Sequence, residues 1–127
     1  MRVEFLESGA EDCPILRLYD FTPEQLIALQ AITAELHIGN NNIGNLFRRL
    51  QLQFLGGCSL SFCISDEDRG VIKSKSGLEF TWSLSPLGWQ KANYLIGAFR
   101  EDYCDGKYQW LDETSDISLL LSESGRW

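Results

Sequence analysis

Apolar and polar positions change their spacing several times along the chain, and each change marks an element. Residues 2–7 alternate, with Val3 and Phe5 on one face, as a short strand requires. After a loop at 9–14, residues 15–20 read as a second strand. Thr22 then offers a side-chain cap, Pro23 fills a first helical position, and Gln25 stands where a capping box needs Glu or Gln. Leu26, Leu29, Ile32, Thr33 and Leu36 continue as a helical stripe that ends at His37-Ile38-Gly39.

Past the polar Asn40-Asn41-Asn42, the residues Ile43, Leu46, Phe47 and Leu50 predict a short helix. The spacing then becomes two. Leu50, Leu52 and Phe54 alternate with glutamines, and Leu60, Phe62 and Ile64 alternate with Ser59, Ser61, Cys63 and Ser65. A hairpin closed by Gly56-Gly57-Cys58 sets Phe54 opposite Leu60, Leu52 opposite Phe62 and Leu50 opposite Ile64, with all three pairs on one face. One continuous strand with a glycine bulge is the competing arrangement. Asp66 to Gly70 reads as a turn, 71–75 as a short strand, and 78–84 as a strong one with Leu78, Phe80, Trp82 and Leu84 on one side. Ser85-Pro86 opens a second long helix, whose buried side is marked by Trp89, Ala92, Ile96, Phe99 and Tyr103. Tyr108 to Leu111 is ambiguous, and Ile117 to Leu121 reads as a last strand.

A strand, a Ser/Thr-Pro pair and an amphipathic helix thus occur twice, at Thr22-Pro23 and at Ser85-Pro86. Side-chain identity between the two copies is poor. Either an ancestral unit was duplicated, or two helices leaving a sheet met the same capping needs. The expected architecture is an α+β domain spanning 1–127, an antiparallel meander sheet with two main amphipathic helices packed on one face.

With 127 residues, 44% of them hydrophobic, the chain builds one core without staples. No apolar run reaches membrane-span length, and the first residues lack a signal peptide's apolar stretch, so the expected location is the cytoplasm. The four cysteines read as thiols. Cys58 and Cys63 have no zinc-type spacing and His37 is alone, so neither a metal nor another cofactor is expected. The net charge of −7 is uneven. Residues 1–37 hold two basic and seven acidic groups, 38–100 seven basic and four acidic, and 101–127 two basic and seven acidic. The acidic ends and basic centre are expected to satisfy each other within the fold. Nucleic acid and anionic membranes are poor partners for such a chain.

Candidate chemistry is thin. Asp66-x-Asp68-x-Gly70 resembles the start of a calcium loop but lacks its later glutamate, so a charged turn is the simpler reading. There is no nucleophile elbow and no glycine-rich phosphate loop. Asp102, Asp105, Asp112, Glu113 and Asp116 form an acidic group suited to a ligand, with Arg48, Arg49 or Arg100 orienting an anionic substrate. The meander's other face carries Gln51, Gln53, Ser59, Ser61, Cys63, Ser65, Thr81 and Ser83, neutral groups where an exposed sheet usually carries charge. Trp82 and Trp89 read as core, while Trp110 and Trp127 are candidate interface anchors. The functional expectation is a non-catalytic interaction module that joins its own copy or a protein partner. One version is a small acidic inhibitor or immunity-type protein. The alternative is a small-molecule or metal-binding domain or enzyme built on the carboxylates of 102–116.

Overall fold

Local chemistry decides where the long helices begin. The Thr22 hydroxyl accepts the Gln25 backbone N–H at 3.2 Å, and Gln25 Oε1 accepts the Thr22 N–H at 2.9 Å, a complete capping box. Helix α1 (Pro23–His37) follows and buries Leu26, Leu29, Ile32, Thr33 and Leu36. It ends before Gly39, which takes the left-handed conformation at φ 87°. Gln25 does more than cap: its Nε2 donates to the Leu50 carbonyl at 2.8 Å, and its Oε1 accepts the Met1 amino group at 3.0 Å. Helix α3 (Pro86–Glu101) starts the same way, with Ser85 Oγ accepting the Gly88 N–H at 3.2 Å, and buries Trp89, Ala92, Ile96 and Phe99.

The computed structural model describes residues 1–102 and 107–127. The expected burial of Tyr103, the thiol of Cys104, the carboxylate of Asp105 and the turn at Gly106 lie outside the described residues. The remaining elements are β1 (Arg2–Leu6), β2 (Ile15–Tyr19), α2 (Gly44–Arg49), β3 (Gln53–Phe54), β4 (Ser59–Ile64), β5 (Gly70–Lys73), β6 (Glu79–Leu84), β7 (Tyr108–Asp112) and β8 (Ser118–Ser122). No helix among the described residues is long and apolar enough to cross a membrane.

The α+β class holds, but the sheet is not a meander. The described residues form two mixed sheets, ordered β3-β1-β2-β8-β7 and β4-β6-β5. The expected 50–64 hairpin is absent. β3 pairs with β1 in parallel, and β4 pairs with β6 in parallel, Ser59 opposite Glu79 through Ile64 opposite Leu84. Leu50, Leu52 and Phe54 therefore do not face Ile64, Phe62 and Leu60. The glycine pair is a corner between the sheets: Gly56 and Gly57 have φ of 68° and 76°, a conformation other residues rarely adopt.

The doubled unit proves to be geometric. In each sheet the strand that feeds a long helix is central. It lies antiparallel to the strand before it (β1 on β2, β5 on β6) and parallel to one from the other half of the chain (β8 on β2, β4 on β6). The two helices pack antiparallel, Phe21 against Phe99 at one end and His37 Nδ1 within 2.9 Å of the Pro86 carbonyl at the other. Near the middle, Asn93 donates to the Gln30 carbonyl at 2.9 Å and to Thr33 Oγ1 at 3.0 Å. The helices thus pack on each other, and one core draws on both sheets: Val3, Leu16 and Leu18 from one, Leu60, Phe80, Trp82 and Leu84 from the other. Its aromatic centre is Trp82 and Trp89, ring centroids 4.7 Å apart, with Phe62 against both.

Among the described residues, the ion pairs stay within the three segments of differing charge. Arg2–Asp20, Arg17–Glu4, Arg69–Glu67 and Lys107–Asp102 each join groups within one segment of the chain. Asp68 has a different task. Its Oδ1 accepts the Ser85 N–H at 2.9 Å and the Ser85 hydroxyl at 2.7 Å, holding the start of α3. This carboxylate lies directly on Gly88, where an added Cβ would sit 2.9 Å from Asp68 Cγ and 3.0 Å from Leu84 Cβ. Gly88→Ala is therefore expected to lower stability by about 1–3 kcal/mol through overpacking. At an unobstructed helical position the same change gains up to about 1 kcal/mol. The urea midpoint, with the slope checked for constancy, decides the sign.

Candidate functional site

The neutral face foreseen in the sequence is split. Ser59, Ser61 and Cys63 on β4 stand opposite Glu79, Thr81 and Ser83 on β6, with Ser61 Oγ 3.5 Å from Thr81 Oγ1. Ser61 is exposed, Ser59, Cys63 and Thr81 are half-buried, and Ile72 of β5 extends the same row opposite Thr81. Ser83 is buried, so it offers no surface. Gln51 and Gln53 are exposed but belong elsewhere, Gln53 on β3 at the edge of the other sheet and Gln51 just before it. The shared face assumed the hairpin, and parallel pairing removes it.

β4 is an outer strand. Ser59 N–H donates to the Leu78 carbonyl at 3.0 Å and Ser65 N–H to the Leu84 carbonyl at 2.9 Å, so odd-numbered residues point their peptide groups at β6. The N–H and C=O groups of Leu60, Phe62 and Ile64 consequently face the open side. No residue from Ser59 to Ile64 is charged. A shallow groove runs beside this edge, bounded by Ile43, Phe47, Arg48, Ser61 and Phe62, with the Phe47 and Phe62 rings edge to face at 5.6 Å.

The described members of the acidic group, Asp102, Asp112, Glu113 and Asp116, do not converge. Asp102 lies at the end of α3, 3.7 Å from Lys107. Asp112 is only 8% exposed and acts inside the core: Oδ2 accepts the Trp82 indole N–H at 2.8 Å and Oδ1 the Thr114 N–H at 2.7 Å. Glu113 and Asp116 are exposed on the loop that follows. Arg100 bonds Gln30 and lines a small apolar hollow with Phe21, Pro23, Leu26 and Ile27. Among the described residues, no three His, Cys, Asp or Glu side chains are placed to share a metal ion.

The two candidate tryptophans part company. Trp127 donates its indole N–H to Asp12 at 3.0 Å, and the neighbouring Gly125 carbonyl accepts from Arg17 at 2.8 Å, closing the chain end over the outer side of β2. Trp110 is half-buried and forms one wall of a cleft of about 280 Å³ between α3 and β7, together with Asp68, Lys91, Leu95 and Glu113. That cleft was missed because its walls lie far apart in the chain. Also missed was the outer side of the helix pair, where Ile38, Leu87 and Tyr94 are 72%, 73% and 74% exposed. The seven-residue step from Leu87 to Tyr94 was its available signal. Known proteins offer no guide, since no family model, curated protein or solved structure matches the chain.

The geometry separates a core role for Asp112 from a ligand role. Asp112→Asn turns an amide NH2 toward one of two N–H donors and is expected to cost about 1–3 kcal/mol, the range for a buried group left without its partner. Asp116→Asn, at an exposed position, is expected to stay within about 0.5 kcal/mol. Equilibrium urea unfolding, followed by tryptophan fluorescence, measures both.

Cys58 is buried with its thiol 3.5 Å from the Val3 carbonyl, and burial pushes its pKa up from the ordinary 9.0. The fold thus holds this proton more tightly than the unfolded chain does. The resulting stability is full below pH 9.0 and is lost as pH rises through the folded value. Cys58→Ala should remove that alkaline component from a stability–pH profile. In the native protein near neutral pH, Cys58 should also resist an aqueous thiol reagent that labels Cys63.

Proposed function

We propose that the protein is a non-catalytic interaction module that takes up an extended strand along the open edge of β4. A second copy of the chain is the first occupant to test. The observation that carries this reading is the uneven finish of two matching strand triplets. In the larger sheet, β1 is flanked by β3 and β8 by β7. In the smaller sheet, β5 is met by the Val71–Ile117 bridge and by Ser115 Oγ donating to the Val71 carbonyl at 2.6 Å. β4, the counterpart of β8, has no such neighbour among the described residues.

Its freedom from charge supports the same reading. Edge strands that must stay single usually carry lysine, proline or a bulge, and β4 has none of these. By analogy with β7 on β8, the added strand runs antiparallel. A second copy pairing through its outward groups sets Phe62 opposite Phe62 and Leu60 opposite Ile64 about a two-fold axis. Ser61 then stands opposite Cys63 of the other copy. Such non-hydrogen-bonded pairs bring Cα atoms to roughly 4.5 Å, within disulfide range.

Ser61→Cys is therefore expected to give a covalent dimer under a mild oxidant, with position 61 joined to Cys63 of the other chain in the peptide map. Ser59→Lys with Ser61→Lys is expected to weaken self-association or partner capture at least about tenfold, equivalent to about 1.4 kcal/mol, because lysines on an edge strand oppose the approach of another strand and, in a two-fold pair, repel those of the other copy. Light scattering and sedimentation read the first case and pull-down with both baits reads the second. Association that the double variant leaves unchanged overturns the reading. So does a steep loss of binding with added salt, which would move the contact from this uncharged edge to the acidic surface expected of an inhibitor.

A further inference from the structure

We propose that the cleft between α3 and β7 is a binding site for a small zwitterion, an α-amino acid with an apolar or aromatic side chain. The cleft lies away from the β4 edge, and neither proposal depends on the other. Lys91 enters it from α3, while Glu113 and Asp68 enter from the loop after β7 and the turn before β5. Neither Lys91 nor Glu113 forms an ion pair with any described residue within 4.0 Å, although both line the same space. Opposite charges that share a cleft without touching leave room for a molecule that carries both.

The other walls narrow the class. Leu84, Ala92 and Leu95 give one apolar side, and Trp110 sets a half-buried indole on the other. A free volume of about 280 Å³ suits one amino acid and is tight for a nucleotide. Two carboxylates disfavour a dianion and Lys91 disfavours a dication, so a zwitterion satisfies both signs at once. Its carboxylate would meet Lys91, its ammonium Glu113 or the free side of Asp68, and its side chain the face of Trp110. Asp112 takes no part, because both its oxygens already serve Trp82 and Thr114. The floor is firm, since Asp68 is held by Ser85 and Asp112 by the core.

The test is a thermal-shift screen of the intact protein with single L-amino acids at millimolar concentration, each beside its N-acetyl and its amide derivative. One or more apolar or aromatic amino acids is expected to raise Tm by roughly 3 °C or more. The N-acetyl form loses the ammonium and the amide loses the carboxylate, so both are expected to give little or no shift. Lys91→Met should abolish the response. Glu113→Gln should weaken it and reduce the preference for the free amino group, and these exposed side chains can change without unfolding the chain. Quenching of tryptophan fluorescence that disappears in Trp110→Phe gives a second readout. No shift with any amino acid overturns the proposal. A shift that survives Lys91→Met and Glu113→Gln overturns it equally, because the ligand then sits elsewhere.

Discussion

The hydrogen bond from the Trp82 indole to Asp112 is the constraint on which the two-sheet arrangement turns. Trp82 is fully buried on β6 in the smaller sheet, and Asp112 ends β7 in the larger one. A carboxylate in that position loses much of its hydration, and it is held only because two N–H donors meet its oxygens. Once it is in place, the loop after β7 is fixed against β5. Gly70 is the residue that allows this closeness: a Cβ there would meet Ser115 N at 2.9 Å and Asp112 Oδ1 at 3.1 Å. The same contact sets the position of Trp110 two residues earlier, and with it the wall of the cleft. One buried bond thus joins the sheets, closes one edge and shapes a surface.

What was legible in the sequence was whatever a few neighbouring residues decide. Thr22 with Gln25, Ser85 with its proline, and the stripes from Leu26 to Leu36 and from Trp89 to Phe99 all fold as their spacing required. The short helix after Asn42 formed as well. Strand pairing was not legible, because β4 finds its partner 20 positions away and β8 finds one 103 positions earlier, both in parallel. Alternation fixes which residues share a face of one strand, and it says nothing about which strand lies alongside. The hairpin was attractive because its three apolar pairs were self-consistent. It failed because Leu50 is held at the end of α2, its carbonyl bonded to Gln25, and is no longer free to extend a strand.

The candidate site fared differently residue by residue. Ser59, Ser61 and Thr81 do share one face, since i, i+2 spacing within each strand survives any choice of partner, but the exposed Glu79 stands in the same row. Gln51 and Gln53 were drawn in by the wrong partner, whereas Ser83 stands in the expected row but is buried. The acidic residues misled for a different reason. Density of carboxylates along a loop does not reveal that Asp112 is turned inward while Asp116 points out. Asp68, read as one charge in a turn, carries a capping role visible only once Ser85 lies beside it.

The open edge of β4 has its origin in the segment that follows each long helix. After α3, the chain forms β7, which lies on β8 and completes that side of the larger sheet. After α1, the corresponding stretch carries Ile43, Leu46, Phe47 and Leu50 at helical spacing, and it forms α2 instead. A helix satisfies its own peptide groups and has none to lend to a neighbouring strand. The few extended residues left over, Gln53 and Phe54, are taken by β1. Phe47 of α2 packs its ring on Phe62 from one side but cannot reach the outward N–H and C=O of β4 in their plane. The matching halves therefore end differently because their linking segments have different periods, and the unfilled strand position is the surface that a partner would complete.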